Sequence, residues 1–330
     1  MVLLVGFIKH RGKGYVMVGL KNYPVLSRVV RNKYAWKRTA RDLILGLCAA
    51  IILVGVCYTI LAPVIGVISV AFMSVEDVFN PLVYLVPENA SLNNIRNAIN
   101  YMDFWRVLRR TLSYALGMAL LHVVMASFIG YGFARFRFPF RSVMFGFVIF
   151  SIVIPVQTYM VPLWIQFRFF GPTEVNLIGS YMPMIILAAT GVGMRSGLFI
   201  YIFRQFFRGM PTEISEAALI DGAGPLRTYA QVMMPNAKPA IITVLLFSLV
   251  WHYGDTVYSG QLMAGIRFLN ISLGGLMQQY MIGTGVSADY MRASMVMFGG
   301  VLLVVAPIMI IYAVLQRQFI EGIERSGIVG

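Results

Sequence analysis

Six apolar stretches, at about 43–72, 111–133, 142–165, 182–206, 239–259 and 291–316, alternate with more polar or basic runs. Each approaches or exceeds the roughly 20 residues that a helix needs to cross a bilayer. The pattern predicts an all-α polytopic membrane protein with six transmembrane helices and both termini on one side. Pro63, Pro155, Pro162 and Pro307 fall inside predicted spans. Each removes a helix hydrogen bond and kinks or breaks its helix, which is tolerable where neighbours cover the freed carbonyl. Such kinks suit a lumen that opens and closes, or serve packing alone. Between the first two spans, the Asn-rich loop 73–110 predicts an outer connection with a short helix around Leu92–Tyr101.

Composition removes the soluble alternative. Hydrophobic residues make up 59% of the chain and charged residues 12%, with mean hydropathy +0.77, whereas a soluble domain carries about 25% charge. The net charge of +14 follows membrane topology rather than nucleic-acid binding. Residues 1–41 hold ten Lys or Arg and no acid, which suits the anionic cytoplasmic leaflet. We therefore divide the chain into a basic cytoplasmic segment, 1–41, and a membrane domain, 42–330. Met1–Ile8 fits either a short interfacial helix or part of a disordered tail. With the N-terminus inside, 19 Lys and Arg lie inside and 7 outside, with Arg195 alone within a span. That bias places both termini in the cytoplasm, although Arg106, Arg109 and Arg110 run against it. The first apolar run is too long for a signal peptide and reads as a retained span. Cys48 and Cys57 lie within it and read as packing residues.

One polar island, Pro211–Pro239, separates the fourth and fifth stretches. Ala217 and Ala218 favour helix and leave a face open to close approach. Gly222 and Gly224 permit a turn, Pro225 can open a second short helix, and Pro235 and Pro239 end it. The expected product is a helical hairpin shaped to dock into another protein. The order Glu216, Ala217, Ala218, Gly222, Val232, Met234, Pro235 resembles the EAA signature of the membrane subunits of ATP-binding-cassette (ABC) importers. Val232 and Met234 stand where that pattern more often has Ile and Leu. The run Glu-Ala-Ala-Leu-Ile-Asp-Gly-Ala is similar to the sugar-importer branch, in the subunit resembling the smaller maltose permease. Ala134-Arg135-Phe136 and Gln316–Gly322 also resemble that family, over nearly the whole chain after about residue 40.

The resemblance implies a type I ABC importer fold with a cytoplasmic coupling loop at 207–239, in a bacterial cytoplasmic (inner) membrane. It implies a permease subunit that translocates a sugar or oligosaccharide delivered by an extracytoplasmic binding protein. A homologous partner permease and two ATPase subunits would complete the assembly. ATP and Mg would be bound by those subunits, with no cofactor in this chain. Glu216 would pair with a basic residue on the ATPase, Ala217 and Ala218 would seat the helix, and Gly222 and Pro235 would shape the turn and its exit. Glu213 and Asp221 read as solvated helix-face charges.

The residues agree with a chain that lacks its own motor. No Lys is followed by Ser or Thr, so there is no P-loop, and Gly-x-Ser-x-Gly is absent. His10, His122 and His252 are scattered in sequence. Arg195 and Asp255 are the ionisable residues within spans, and a charge there normally faces a bundle interior or water. They line a lumen, pair with each other, or sit nearer span ends than the pattern suggests. Trp251, Tyr253 and Tyr258 suit sugar rings, or an interfacial aromatic belt. In the external loop 262–290, Asn270, Gln278, Gln279 and Tyr280 are candidates to meet sugar or binding protein. Other readings are the same architecture serving glycerol phosphate, a polyol or an amino acid, and a proton-coupled secondary transporter. The last needs a converging carboxylate and histidine relay, which the sequence does not show.

Overall fold

The computed structural model describes residues 24–285 and 289–327. Residues 1–23 of the expected basic segment, including Met1–Ile8, lie outside the described residues, as do 328–330. Contacts divide the chain into two units, Met1–Ile65 and Gly66–Gly330. Helix α1, Pro24–Phe72, continues from the basic run into the first apolar stretch with Pro63 inside it, so the expected boundary at 41/42 falls within a helix. In the first unit the aliphatic side chains from Leu43 to Leu61 are exposed, as are Cys48 and Cys57. The two thiols therefore do not pack inside this chain.

The second unit is helical apart from one isolated antiparallel bridge, Phe170 with Val175, among the described residues. Short helices α2, Val75–Phe79, and α3, Asn93–Met102, fill the predicted outer loop. Ser74 caps α2 through the Asp77 amide, and the Asp77 carboxylate accepts from the backbone and side-chain amides of Asn89 at 2.9 and 3.2 Å. Asn94 ties α3 to the end of α1 by donating to the Ala71 and Met73 carbonyls. The long helix α4 spans Phe104–Arg135.

The expected third span is not a single kinked rod. Helices α5, Arg141–Val153, and α6, Val156–Arg168, meet at 106°. Pro155 cannot donate to the ladder and pushes the residue before it out of helical geometry; Ile154 is extended, at φ −67° and ψ 123°. Pro162, by contrast, is carried inside α6. The expected fourth span is also divided, into α7, Met182–Ala189, and α8, Ser196–Gly209. The break holds Gly191 and Arg195 at φ 75° and 58°. At about 1.5 Å per residue neither half reaches across a hydrocarbon layer about 30 Å thick.

Next come α9, Thr212–Ile220, and α10, Pro225–Asn236, which contains a π turn over Tyr229–Met233. Helix α11, Lys238–Gly254, leaves α10 at 80°. Short helices α12, Val257–Leu262, α13, Leu269–Gly274, and α14, Leu276–Thr284, precede α15, Tyr290–Gly327, with Pro307 inside. Among the described residues, three helical stretches are long and apolar enough to span: Leu43–Phe72, Phe104–Arg135 and Tyr290–Val314. The number rises to five if each of the two bent pairs counts as one span.

Helix α4 is the element against which α7, α8 and α11 pack. Its Val123, Ala126, Tyr131 and Phe133 join Phe199, Ile200, Phe203 and Phe207 of α8 and Val244 of α11 in one buried cluster. At Gly130 the approach to α8 is closest: a Cβ there would lie 2.7 Å from the Phe203 Cβ and 3.0 Å from the Arg204 amide nitrogen. A polar tie reinforces this contact. His122 Nδ1 lies 3.0 Å from the Met118 carbonyl and 3.2 Å from Ser248 Oγ of α11, and Nε2 lies 3.1 Å from Ser196 Oγ of α8. With Nδ1–H donating to the Met118 carbonyl, Nε2 accepts from Ser196.

Gly130→Val should destabilise the chain by about 1–3 kcal/mol through overpacking, read as a lowered midpoint in detergent thermal unfolding while Gly132→Val, in open space, shifts it less. A second expectation concerns acid. Burial alone would raise the Asp77 carboxyl, but the donors from Asn89 and Ser74 outweigh it and hold it below its ordinary value of 3.8. A group lowered on folding stabilises the fold above its unfolded pKa and loses that contribution as pH falls through the folded one. Protease protection of the 73–92 loop should therefore decline below about pH 4, and Asp77→Asn should remove most of that pH dependence.

Candidate functional site

A cavity of about 940 Å³ opens where three helices are interrupted. Its wall comprises the α5–α6 break around Pro155, the α7–α8 break from Thr190 to Arg195, and the end of α11 with the start of α12. Broken helices carry backbone amides and carbonyls without ladder partners, and in a membrane these are tolerated only against protein or water. Polar side chains Gln157, Thr158, Gln166 and Thr190 share the wall with Phe167, Leu187 and Trp251. The volume lies within the range of small-molecule sites.

Four of the five translocation candidates line this cavity: Arg195, Trp251, Asp255 and Tyr258. Arg195 is exposed, with its guanidinium 5.3 Å from the Trp251 ring centroid. It forms no ion pair with Asp255, whose carboxylate is occupied locally. Asp255 accepts from the Val257 and Tyr258 amides at 3.1 Å each and from the Ser259 amide at 2.7 Å, which starts α12. Tyr258 and Tyr159 bridge α12 and α6 through their hydroxyls at 2.7 Å. Tyr253 lies elsewhere: it is buried in another cluster and donates its hydroxyl to the Val304 carbonyl of α15. Its place two residues after Trp251 on α11 explains this, since positions two apart on a helix point about 200° apart.

The two histidines within the described residues are not scattered in space. His122 and His252 are buried with ring centroids 5.0 Å apart, and Tyr114 stacks on His252 at 5.7 Å. Both His252 nitrogens and the Tyr114 hydroxyl lack hydrogen-bond partners among the described residues. Spacing alone gave no signal for this pair, because the helices that carry it are far apart in sequence.

The loop candidates separate as well. Asn270 donates to the Tyr253 carbonyl at 2.7 Å and so anchors α13 to α11. Gln278 is exposed on α14, Gln279 is half-buried, and Tyr280 meets Tyr101 edge-on at 5.3 Å.

The polar island forms the expected hairpin. The Gly222 amide donates to the Leu219 carbonyl and the Ala223 amide to the Ala218 carbonyl, at 3.1 and 2.9 Å, with Gly222 at φ 79°. This paired pattern closes a helix through a left-handed residue. No atom lies within 4 Å of where a Cβ would sit on Gly222, so backbone conformation rather than space favours glycine there. Glu216 and Ala217 are exposed on α9, with Leu219 and Ile220 beside them. Ala218 instead is buried within the chain, so only one of the two alanines faces outward. Pro235 is exposed in the last turn of α10, and Asn236 Nδ2 takes up the Val232 carbonyl at 2.7 Å.

Two side chains to which the sequence pattern assigns no role at the hairpin tie it to α4. Arg135 donates to the Met210 carbonyl at 2.8 Å and to the Pro211 carbonyl at 3.4 Å, at the entrance to α9. Tyr229 of α10 meets Ser127 through their hydroxyls at 2.7 Å. Ala134-Arg135-Phe136 was legible as a motif; that its arginine reaches back across 75 residues was not.

Known proteins resemble this chain in sequence and fold. Residues 122–325 match the family described as binding-protein-dependent transport system inner membrane component. A probable ABC transporter permease protein of Pyrococcus horikoshii is 28% identical over 59% of this chain and 68% of its own. The sn-glycerol-3-phosphate transport system permease protein UgpE of Escherichia coli K12 is 25% identical over 81% of this chain and 92% of its own. The alpha-glucoside transport system permease protein AglG of Rhizobium meliloti is 26% identical over 74% and 62%. The fold superposes on a chain from the crystal structure of a bacterial ABC transporter involved in the import of the acidic polysaccharide alginate, with a TM-score of 0.69, 20% identity, and coverage of 84% of this chain and 98% of that one. With the family model matched over more than half its length, the chain belongs to the binding-protein-dependent transport system inner membrane components.

Proposed function

We propose that this chain is one permease of a sugar importer, working with a homologous partner permease, two ATPase subunits and an extracytoplasmic binding protein. ATP and Mg bind to the ATPases, and this chain supplies the path and the lever. The observation that carries the reading is the cavity built from three helix breaks, joined through α4 and α8 to an exposed hairpin. The alpha-glucoside relative supports a sugar as solute. In this reading both termini and the hairpin are cytoplasmic, and the divided segments complete a six-crossing arrangement. Gln278, Gln279 and Tyr280 face the binding protein from the opposite side.

Glu216 meets a basic residue on the ATPase, where a charge-assisted hydrogen bond is stronger than an exposed pair. Ala217, Leu219 and Ile220 give the contact its apolar floor. When the ATPases close on ATP, the hairpin moves with them, and its ties to α4 carry that motion to the cavity wall as a rigid-body shift. A second reading has a solute bearing an anionic group. Arg195, exposed to the cavity and held over Trp251, favours it, as does the sn-glycerol-3-phosphate relative. Identifying the ligand of the cognate binding protein, then testing uptake of that compound in cells carrying Arg195→Gln, separates the two. Loss confined to an anionic solute supports the second.

Glu216→Lys should abolish co-purification of the ATPase subunit, and Gly222→Asp should leave the chain inserted while eliminating uptake; retained transport in Gly222→Asp would count against the lever. Arg135→Gln removes one charged donor from two carbonyls, a loss of about 1.5 kcal/mol or more. Hydrogen exchange at the start of α9 should then quicken by about tenfold, and transport per ATP hydrolysed should fall while assembly persists.

A further inference from the structure

Arginines from two helices converge beside the hairpin, and among the described residues none of them forms an ion pair with an acid. Arg141 begins α5, and Arg204 and Arg208 lie in the last turns of α8. Together with Ser142 and Phe145 they line a hollow of about 330 Å³. A second hollow, of about 500 Å³, adjoins it through Arg141 and Ser142 and adds Arg137. Neither ion pair found among the described residues, Arg106 with Asp103 and Arg292 with Asp289, involves these side chains. Arg141 donates to the Phe136 carbonyl at 3.1 Å, and Arg204 to the Gln205 side-chain oxygen at 3.3 Å. The Arg204 guanidinium stacks 3.8 Å from the Phe145 centroid, while its Nε is buried without a partner. An anion in the hollow would offset this crowding of like charge.

What surrounds the cluster indicates the source of that anion. Phe140, Val143 and Phe147 form an exposed apolar strip along one face of α5, at 78%, 57% and 68% exposure. No residue of α5 is fully buried. A basic hollow at the end of an apolar strip matches a phospholipid, headgroup at the arginines and acyl chain along the helix. We propose that Arg141, Arg204 and Arg208 form a binding site for the phosphate headgroup of an anionic phospholipid. Because Arg208 is followed at once by the hairpin entrance that Arg135 holds, a bound headgroup steadies the base of the lever. The cytoplasmic sidedness of the site rests on the importer reading; headgroup binding itself does not.

The test uses the full-length chain purified with the subunits that accompany it. Native mass spectrometry counts retained phosphatidylglycerol, and titration with dihexanoyl phosphatidylglycerol, dihexanoyl phosphatidylcholine and inorganic phosphate gives affinities. We expect phosphatidylglycerol to bind in preference to phosphatidylcholine, with affinity falling about fivefold for each arginine changed to Gln and largely kept in the Arg→Lys variants. Arg208→Gln alone, at an exposed position, keeps the test open if the triple variant does not fold. Unchanged affinity in the Gln variants would overturn the proposal. So would equal binding of inorganic phosphate, which would mark a soluble-anion site. Loss of an accompanying subunit with no change in lipid binding would mark a protein contact and overturn it as well.

Discussion

In a hydrocarbon layer a backbone amide or carbonyl has only the chain itself to bond with, and this constraint governs the second unit. Helix α4 satisfies it by continuity over 32 residues. The segments around it do not: one is bent through 106° at Pro155, one is divided between Ala189 and Ser196, and one stops at Gly254. Each break frees polar groups, and all three breaks open on the same cavity. Asp255 answers the constraint locally by accepting from three amides at the start of α12. Its charge therefore serves the backbone before it serves any solute.

The same continuity makes α4 the helix to which its neighbours are tied. Along its length it is tied to α8 through Gly130 and His122, to α11 through Ser248, and to the hairpin through Ser127 and Arg135. These contacts join the hairpin, α8 and α11 to one continuous helix. The close approach at Gly130 and the aromatic packing of Phe199, Phe203 and Phe207 leave little compliance between α4 and α8. The loop that turns at Gly222 is open on its outer side.

Much of the hairpin was legible because its signals are local. A left-handed glycine, a first-turn proline and paired alanines act within a few residues of themselves, so their spacing carries their structure. The cavity was only half legible. Arg195, Trp251, Asp255 and Tyr258 stood out as polar or aromatic residues in apolar runs, yet their apolar surroundings did not reveal where the helices stop. Gly191 and Gly193 were the available cue to the α7–α8 break, and hydropathy summed across them.

By itself the sequence determined that the chain belongs in a membrane, that it is built of helices, and that an exposed hairpin interrupts the apolar pattern; hydropathy and turn chemistry are properties of neighbouring residues. Only the tertiary structure decided that His122 meets His252, that Tyr253 turns to Val304 rather than the cavity, and that Arg135 closes on Met210. Those outcomes depend on which faces of distant helices come into contact, and helix packing sets that through long-range complementarity that no local pattern encodes.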